Sequence, residues 1–189
     1  MKKLTNFFTD GFRIIFQGGR NFYIWMTLLT VLAVNGLFHY IGQVGEGLSA
    51  TGMTDQVSWG LYISNFTFFV GVAAAAVMLV IPLYVFGDRD FKKAVLIGEG
   101  VAVSALIMCL MFVTVDLGRP DRLWHMFPGV GLFNWPSSLL AWDVIVLNGY
   151  LALNLLIPFY LLFSKYHQRE PNRKIYVPFV LLSVVWAIS

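Results

Sequence analysis

The sequence predicts an all-α integral membrane protein, and three observations carry that reading. Of its 189 residues, 58% are hydrophobic and only 12% are charged, where a soluble domain has roughly 25% charged residues. Four apolar stretches each reach the ~20 residues that a helix needs to cross the hydrocarbon core. The segments between them alternate between rich and poor in lysine and arginine, as a multi-pass topology requires. The expected architecture is an N-terminal four-helix transmembrane bundle followed by the start of a fifth span.

Residues 1–20 form the first segment. Within 3–18, Phe8, Phe12, Ile15 and Phe16 recur at helical spacing, with Asn6, Asp10 and Arg13 on the opposite side. An amphipathic helix lying in the membrane interface follows, and Gly18-Gly19 ends it. Met1-Lys2-Lys3 lacks an adjacent apolar run with a small-residue cleavage site, so no cleaved signal peptide is read. Residues 21–164 hold the spans Phe22–Val44, Trp59–Phe86, Ala94–Val115 and Ser138–Phe163. Gly71-Val72-Ala73-Ala74-Ala75-Ala76 offers a small face for close helix contact. Pro82 and Pro158 fall near the cytoplasmic ends of spans two and four. They are either the trace of a two-helix repeat or, more simply, proline tolerated at helix ends. Residues 165–174 make a polar loop. The stretch Ile175–Ser189 then begins a fifth span with 15 residues and no exit, as expected of a fragment or of a truncated product, the fragment being favoured.

Orientation follows from the cations. Lys2, Lys3, Arg13 and Arg20 precede the first span, Arg89, Lys92 and Lys93 follow the second, and Lys165, Arg169, Arg173 and Lys174 follow the fourth. The other face has only Arg119 and Arg122. Eleven against two places the N-terminus in the cytoplasm. The turn-forming run Val115-Asp116-Leu117-Gly118-Arg119-Pro120-Asp121-Arg122 then lies on the outer, periplasmic face. Its two arginines resist the topological rule, which points to a task there.

An ionisable group at membrane depth costs about 2.5–3.5 kcal/mol on insertion scales, so each one is a functional candidate. His39 lies near the outer end of the first span, with Asn35 four residues earlier on the same face and Gln43 extending the stripe. Asn65 and Tyr62 lie in the outer part of the second span, and Asp116 closes the third. Asp143 enters the fourth about five residues, or ~8 Å, below the outer surface, with Tyr150 two turns deeper on nearly the same face. Each has a plainer reading. His39 with Asn35 makes either a ligand site or an interhelical hydrogen bond, and Asp143 with Arg119 makes a functional pair or a structural ion pair. Glu99, between Gly98 and Gly100, lines a proton path or sits at the cytoplasmic interface, the interface being slightly favoured. Tyr150 and Asn154 read as packing residues, and Tyr62 as part of an aromatic belt.

Chemistry narrows the options. The single cysteine, Cys109, excludes a disulfide framework and any thiolate cluster for zinc or iron–sulfur. A membrane haem b needs axial histidines from facing helices, whereas His125 and His167 fall outside the spans, so no haem is expected. A histidine, carboxylates and amides near one surface suit the carbonyl oxygens of a quinone and the protons it exchanges. With no redox centre in the chain, the electrons come from a partner docked outside. A proton-coupled transporter is the alternative from another class, although such sites more often lie at broken helices near the midplane. A purely structural anchor is the second alternative.

Asp116-Leu117-Gly118-Arg119-Pro120 after a third span, with Trp59-Gly60-Leu61-Tyr62-Ile63-Ser64-Asn65 opening the second, resembles the NrfD-like family of polysulfide reductase membrane subunits. Within it the chain is most similar to the DsrP-type subunits of the sulfite-reduction-associated Dsr membrane complex, or to their relatives in the Hmc complex. The resemblance implies half of a two-bundle fold with eight or more spans and no haem. It implies electron exchange between menaquinone, or another quinone, and a periplasmic ferredoxin-like iron–sulfur subunit, beside other membrane and cytochrome subunits. The setting is anaerobic or sulfur-compound respiration in a bacterial or archaeal cytoplasmic membrane. Asn35 and His39 match the family's quinone-lining pattern in the first span, and Asp116 and Arg119 match its loop. Asn65 and Asp143 are carried as further cofactor-binding candidates, with Asp116, Arg119 and Glu99 as proton relay or loop lid.

Overall fold

A computed structural model describes residues 2–57, 59–78, 92–127 and 129–186. Its elements are α1 Lys2–Ile15, α2 Arg20–Glu46, α3 Leu61–Met78, α4 Lys92–Asp116, α5 Leu139–Tyr166 and α6 Arg173–Trp186, with short 3-10 helices at Leu48–Thr51 and Pro120–Met126. Among the described residues, three helical stretches are long and apolar enough to cross a membrane: Arg20–Glu46, Ile97–Asp116 and Leu139–Tyr166. Leu61–Ala76 is a shorter apolar helix. The expected end of the second span at 79–86, with Pro82, lies outside the described residues, as do Arg89 and residues 187–189. All-helical architecture and repeated apolar helices together make this a multi-pass membrane protein, because helices satisfy their own backbone groups in a solvent that offers no hydrogen bonds.

The chain divides into two compact units, residues 1–50 and 51–189. The first holds α1 and α2. Its 27-residue α2 is about 40 Å long at 1.5 Å per residue, ample to cross a bilayer core. None of its residues is buried. The Tyr23 hydroxyl donates to the Phe16 carbonyl at 2.9 Å and ties the start of α2 to the chain leaving α1. Gly18 permits that corner, since a Cβ there would collide with the Phe22 ring. Gly47, at φ 83°, closes α2 by donating its N–H to the Gln43 carbonyl at 2.7 Å.

In the second unit α3 packs on α4, α4 on α5, and α5 on α6, which also touches α3. The α3–α4 seam is made of small residues. Ala73 and Ala76, from the expected small face, are buried, and so are Ala102, Ala105 and Cys109 on α4. The Cys109 thiol donates to the Phe66 carbonyl at 3.7 Å across that seam. Leu106, Leu147 and Tyr150 complete the core. The Tyr150 hydroxyl donates to the Ala73 carbonyl at 3.3 Å, joining α5 to α3.

Both ends of the α5–α6 pair are fastened. At the turn, the Asn172 N–H donates to the Tyr160 hydroxyl at 3.1 Å, while the Asn172 side-chain oxygen accepts from the Lys174 N–H at 3.0 Å and caps α6. At the other end the Trp186 indole N–H donates to the Val146 carbonyl at 3.0 Å. Its ring lies over Gly149, where a Cβ would come within 2.7 Å of the indole. Pro158 is an interior residue of α5, not a terminal one, for the helix runs on to Tyr166. Its missing N–H leaves the Asn154 carbonyl without the usual helical partner, which long membrane helices tolerate.

Gly149→Ala is expected to cost roughly 1–3 kcal/mol by forcing the indole off its seat, whereas Gly100→Ala, with open space around it, should be neutral or slightly stabilising. Thermal unfolding of the two variants in detergent, followed by circular dichroism, checks this difference.

Candidate functional site

The segment between α4 and α5 is built from local contacts. Leu117 continues the α4 hydrogen-bond pattern for one residue, its N–H donating to the Val113 carbonyl at 3.1 Å. Pro120 then starts the 3-10 helix, where its fixed φ suits the first turn and its missing N–H costs nothing. Arg119 immediately before it turns back onto Asp121: Nε donates to Oδ1 and Nη2 to Oδ2, each at 3.0 Å. This bidentate pair is largely exposed, at 65% and 56% of the two side chains, so its effect is geometric and its net contribution to stability is small. The Arg119 hydrogen bonds hold the Asp121 carboxyl below the usual carboxylate range and raise the guanidinium in turn. The alternative expected from sequence, an Arg119–Asp143 ion pair, is not formed. The nearer carboxylate, two residues along the same turn, takes both arms of the fork.

Further on, the loop folds against itself. A Cβ on Gly131 would run into the His125 backbone carbonyl, so only glycine fits there. The Trp142 indole N–H donates to the Pro136 carbonyl at 2.9 Å, and its ring stands 3.8 Å from that of Trp135, centroid to centroid. The Ser138 hydroxyl accepts from the Ala141 N–H at 3.3 Å and caps α5. The loop therefore reaches α5 in a defined conformation.

Three polar candidates sit near the loop ends of the packed helices. Asp116 is the last residue of α4 and half-buried; its Oδ1 is buried and has no hydrogen-bond partner among the described residues. Leaving such a group unsatisfied costs at least about 1–3 kcal/mol, and nothing in the local turn offsets it. Asp143 is the fifth residue of α5, half-buried and without an ion pair among the described residues. Asn65, also half-buried, is the fifth residue of α3, and its amide N–H donates to the Leu61 carbonyl at 2.8 Å, leaving its oxygen as the group it offers. Measured from the Tyr150–Ala73 hydrogen bond, Asp143 and Asn65 are each about two turns toward the N-termini of α5 and α3.

Asn35 and His39 are exposed on α2 in the first unit, four residues apart on one helix face, with the His39 ring 6.1 Å from Phe38. Glu99 lies inside the packed helices. It is only 4% exposed, on the buried stripe of α4 with Ala102, Leu106 and Cys109. It lies seven residues into α4, which starts at Lys92. Tyr150 and Asn154 are buried packing residues, as expected, the Asn154 amide donating to the Tyr150 carbonyl at 2.9 Å. Tyr62 packs toward Phe112 at 6.4 Å. Sequence reasoning missed Asp121 as the partner of Arg119. The available signal was its place in the first turn after Pro120, within reach of a long side chain.

A match to the family described as "Polysulphide reductase, NrfD" covers residues 49–189. The chain belongs to this family. The match contains Asn65, Glu99, Asp116, Arg119 and Asp143, and it begins beyond Asn35 and His39. Among curated relatives, a selenate reductase subunit of Mesobacillus selenatarsenatis is 28% identical over 151 residues, 80% of this chain and 34% of that protein. A putative dimethyl sulfoxide reductase membrane subunit of Halobacterium salinarum is 32% identical over 69% of this chain and 29% of its own length. The Hdr-like menaquinol oxidoreductase integral membrane subunit of Archaeoglobus fulgidus is 23% identical over 67% of this chain and 31% of its own. The chain thus spans about a third of the length of the curated relatives it matches.

The depressed Asp121 carboxyl has a defined pH signature. A lowered folded value means that the Arg119 pair is fully formed above the ordinary aspartate range near ~3.9 and is lost as pH falls through the folded value. The Arg119 Nε–H resonance should be protected from exchange at about pH 5 and lose protection only below that range. Asp121→Asn should remove the protection at every pH and speed tryptic cleavage after Arg122.

Proposed function

We propose that this chain is a haem-free, quinone-binding part of a membrane subunit in a respiratory oxidoreductase. It would pass electrons between menaquinone or menaquinol and a periplasmic ferredoxin-like iron–sulfur subunit, beside further membrane and cytochrome subunits. The observation that carries this is Asp116: a carboxylate oxygen buried and unpartnered at the loop end of a membrane helix, in a family of reductase membrane subunits. The A. fulgidus relative, named as a menaquinol oxidoreductase subunit, supports the choice of quinone. The motifs at Trp59–Asn65 and Asp116–Pro120 support the finer kinship with DsrP-type subunits of sulfur respiration. With the N-terminus cytoplasmic by its cation count, the Asp116–Arg122 loop faces the periplasm.

The residues fit such a ligand. A bound quinone supplies two-electron, two-proton redox chemistry. The His39 imidazole can donate an N–H to a carbonyl oxygen, and the exposed Asn35 amide beside it can share that oxygen. Asn65 and Asp143 supply further polar atoms for cofactor binding. Asp116 exchanges protons with the aqueous phase at the mouth of the loop, and Glu99 serves as a deeper relay. Arg119, held by Asp121, fixes the loop as a lid or as the seat of the iron–sulfur partner.

His39→Ala in the full-length complex is expected to lower quinol-linked electron transfer at least about tenfold with the complex still assembled. Turnover at the wild-type level would sink the assignment of His39. Asp116→Asn should lower turnover by roughly 10- to 100-fold and shift its pH profile while leaving thermal stability unchanged or raised, a neutral amide being cheaper to bury than a carboxylate. A menaquinone analogue titrated against the purified complex should bind saturably, and failure to do so would favour a structural anchor.

A further inference from the structure

The first unit carries a groove that the proposed quinone chemistry does not use. It has a volume of about 300 Å³ and runs from Phe16 and Phe22 past Met26 and Thr27 to Val31. From Phe22 to Val31 the wall follows α2 for about 14 Å. Its polar atoms are committed elsewhere. The Thr27 hydroxyl donates to the Tyr23 carbonyl at 2.8 Å, the Thr30 hydroxyl to Met26 at 2.7 Å and the Tyr23 hydroxyl to Phe16 at 2.9 Å. What the groove presents is methyl groups, a thioether and ring faces, a surface for an alkyl chain and not for a polar ligand.

Charge says what kind of chain. Arg13 precedes Phe16 by one helical turn and Arg20 precedes Phe22 by two residues, so both cations flank one end of the groove in sequence. Neither forms an ion pair among the described residues. Residues 2–20 carry Lys2, Lys3, Arg13 and Arg20 against the single Asp10. A partner helix or a quinone tail would satisfy the apolar wall but leave that excess of positive charge unanswered. We infer that the α1–α2 corner binds an anionic phospholipid, with one acyl chain in the Phe16–Val31 groove and the phosphate between Arg13 and Arg20. Juxtamembrane cations attract anionic headgroups by about 1 kcal/mol each, and the bent, tyrosine-tied corner gives the lipid a fixed seat beyond that general attraction.

The test is native mass spectrometry of the full chain in a mild detergent, with phosphatidylglycerol and phosphatidylcholine added in equal amounts. The wild type should retain phosphatidylglycerol in preference, the preference falling with salt. Arg13→Gln with Arg20→Gln should lower that preference by roughly 30-fold, while Arg169→Gln, a cation remote in sequence, should leave it intact. Thr27→Phe, which fills the groove, should reduce retention of both lipids. Equal retention of the two lipids by the wild type would overturn the inference, as would undiminished preference in the double variant or full retention in the groove-filled one. Displacement of bound phosphatidylglycerol by a short-chain menaquinone analogue would also overturn it, by making a quinone the occupant. Circular dichroism of each variant confirms that the helices are intact. The outcome is independent of the quinone assignment, which uses none of these residues.

Discussion

Lipid gives helices no hydrogen bonds and little hydrophobic reason to associate, so packing and a few interhelical hydrogen bonds must hold them together. In the second unit that role falls to an alanine seam. Ala73 and Ala76 on α3 and Ala102, Ala105 and Cys109 on α4 are all buried, and their small side chains let the two helices pack closely. The approach lets the Cys109 thiol reach the Phe66 carbonyl. It also shapes the surface on which Leu147 and Tyr150 of α5 rest. A larger residue in the seam would move α4 outward and carry away the end on which Asp116 sits.

That dependence links packing to chemistry. Asp116, Asn65 and Asp143 are placed by the register of three helices, whereas Arg119 is placed by a turn of its own making. The ion pair with Asp121 frees the loop from any need of α5 to hold its arginine. Asp143 is thereby left for another partner, and Asp116 keeps an unsatisfied oxygen at the point where α4 gives way to the loop. A carboxylate oxygen buried without a partner is a cost that the local turn does not offset. Its placement beside a glycine- and proline-shaped segment suits the proton relay proposed for it.

Much of the helical layout was legible because hydropathy and helix formation respond to the same composition. Phe22–Val44 became Arg20–Glu46, Ala94–Val115 became Lys92–Asp116, and Ser138 proved to be the cap of α5. The amphipathic segment was legible from Phe8, Phe12, Ile15 and Phe16, since a period near 3.6 is a property of the helix itself. What escaped was pairing. Arg119 had several carboxylates within plausible reach, and only the 3-10 turn decides for Asp121. Trp186 and Gly149 are too far apart in the chain for any periodicity to connect them. The burial of Glu99 also escaped, because a sequence does not show which neighbouring helix covers a given stripe.

The two fastenings of α5 and α6 bear on how the protein is made. Asn172 meets Tyr160 at the turn, and Trp186 meets Val146 and Gly149 at the opposite end. Such a pair is joined at both ends before it encounters any third helix. It can therefore leave the insertion machinery as a closed helical hairpin. On that route the Tyr150 hydroxyl finds the Ala73 carbonyl only when the hairpin docks on the α3 made before it.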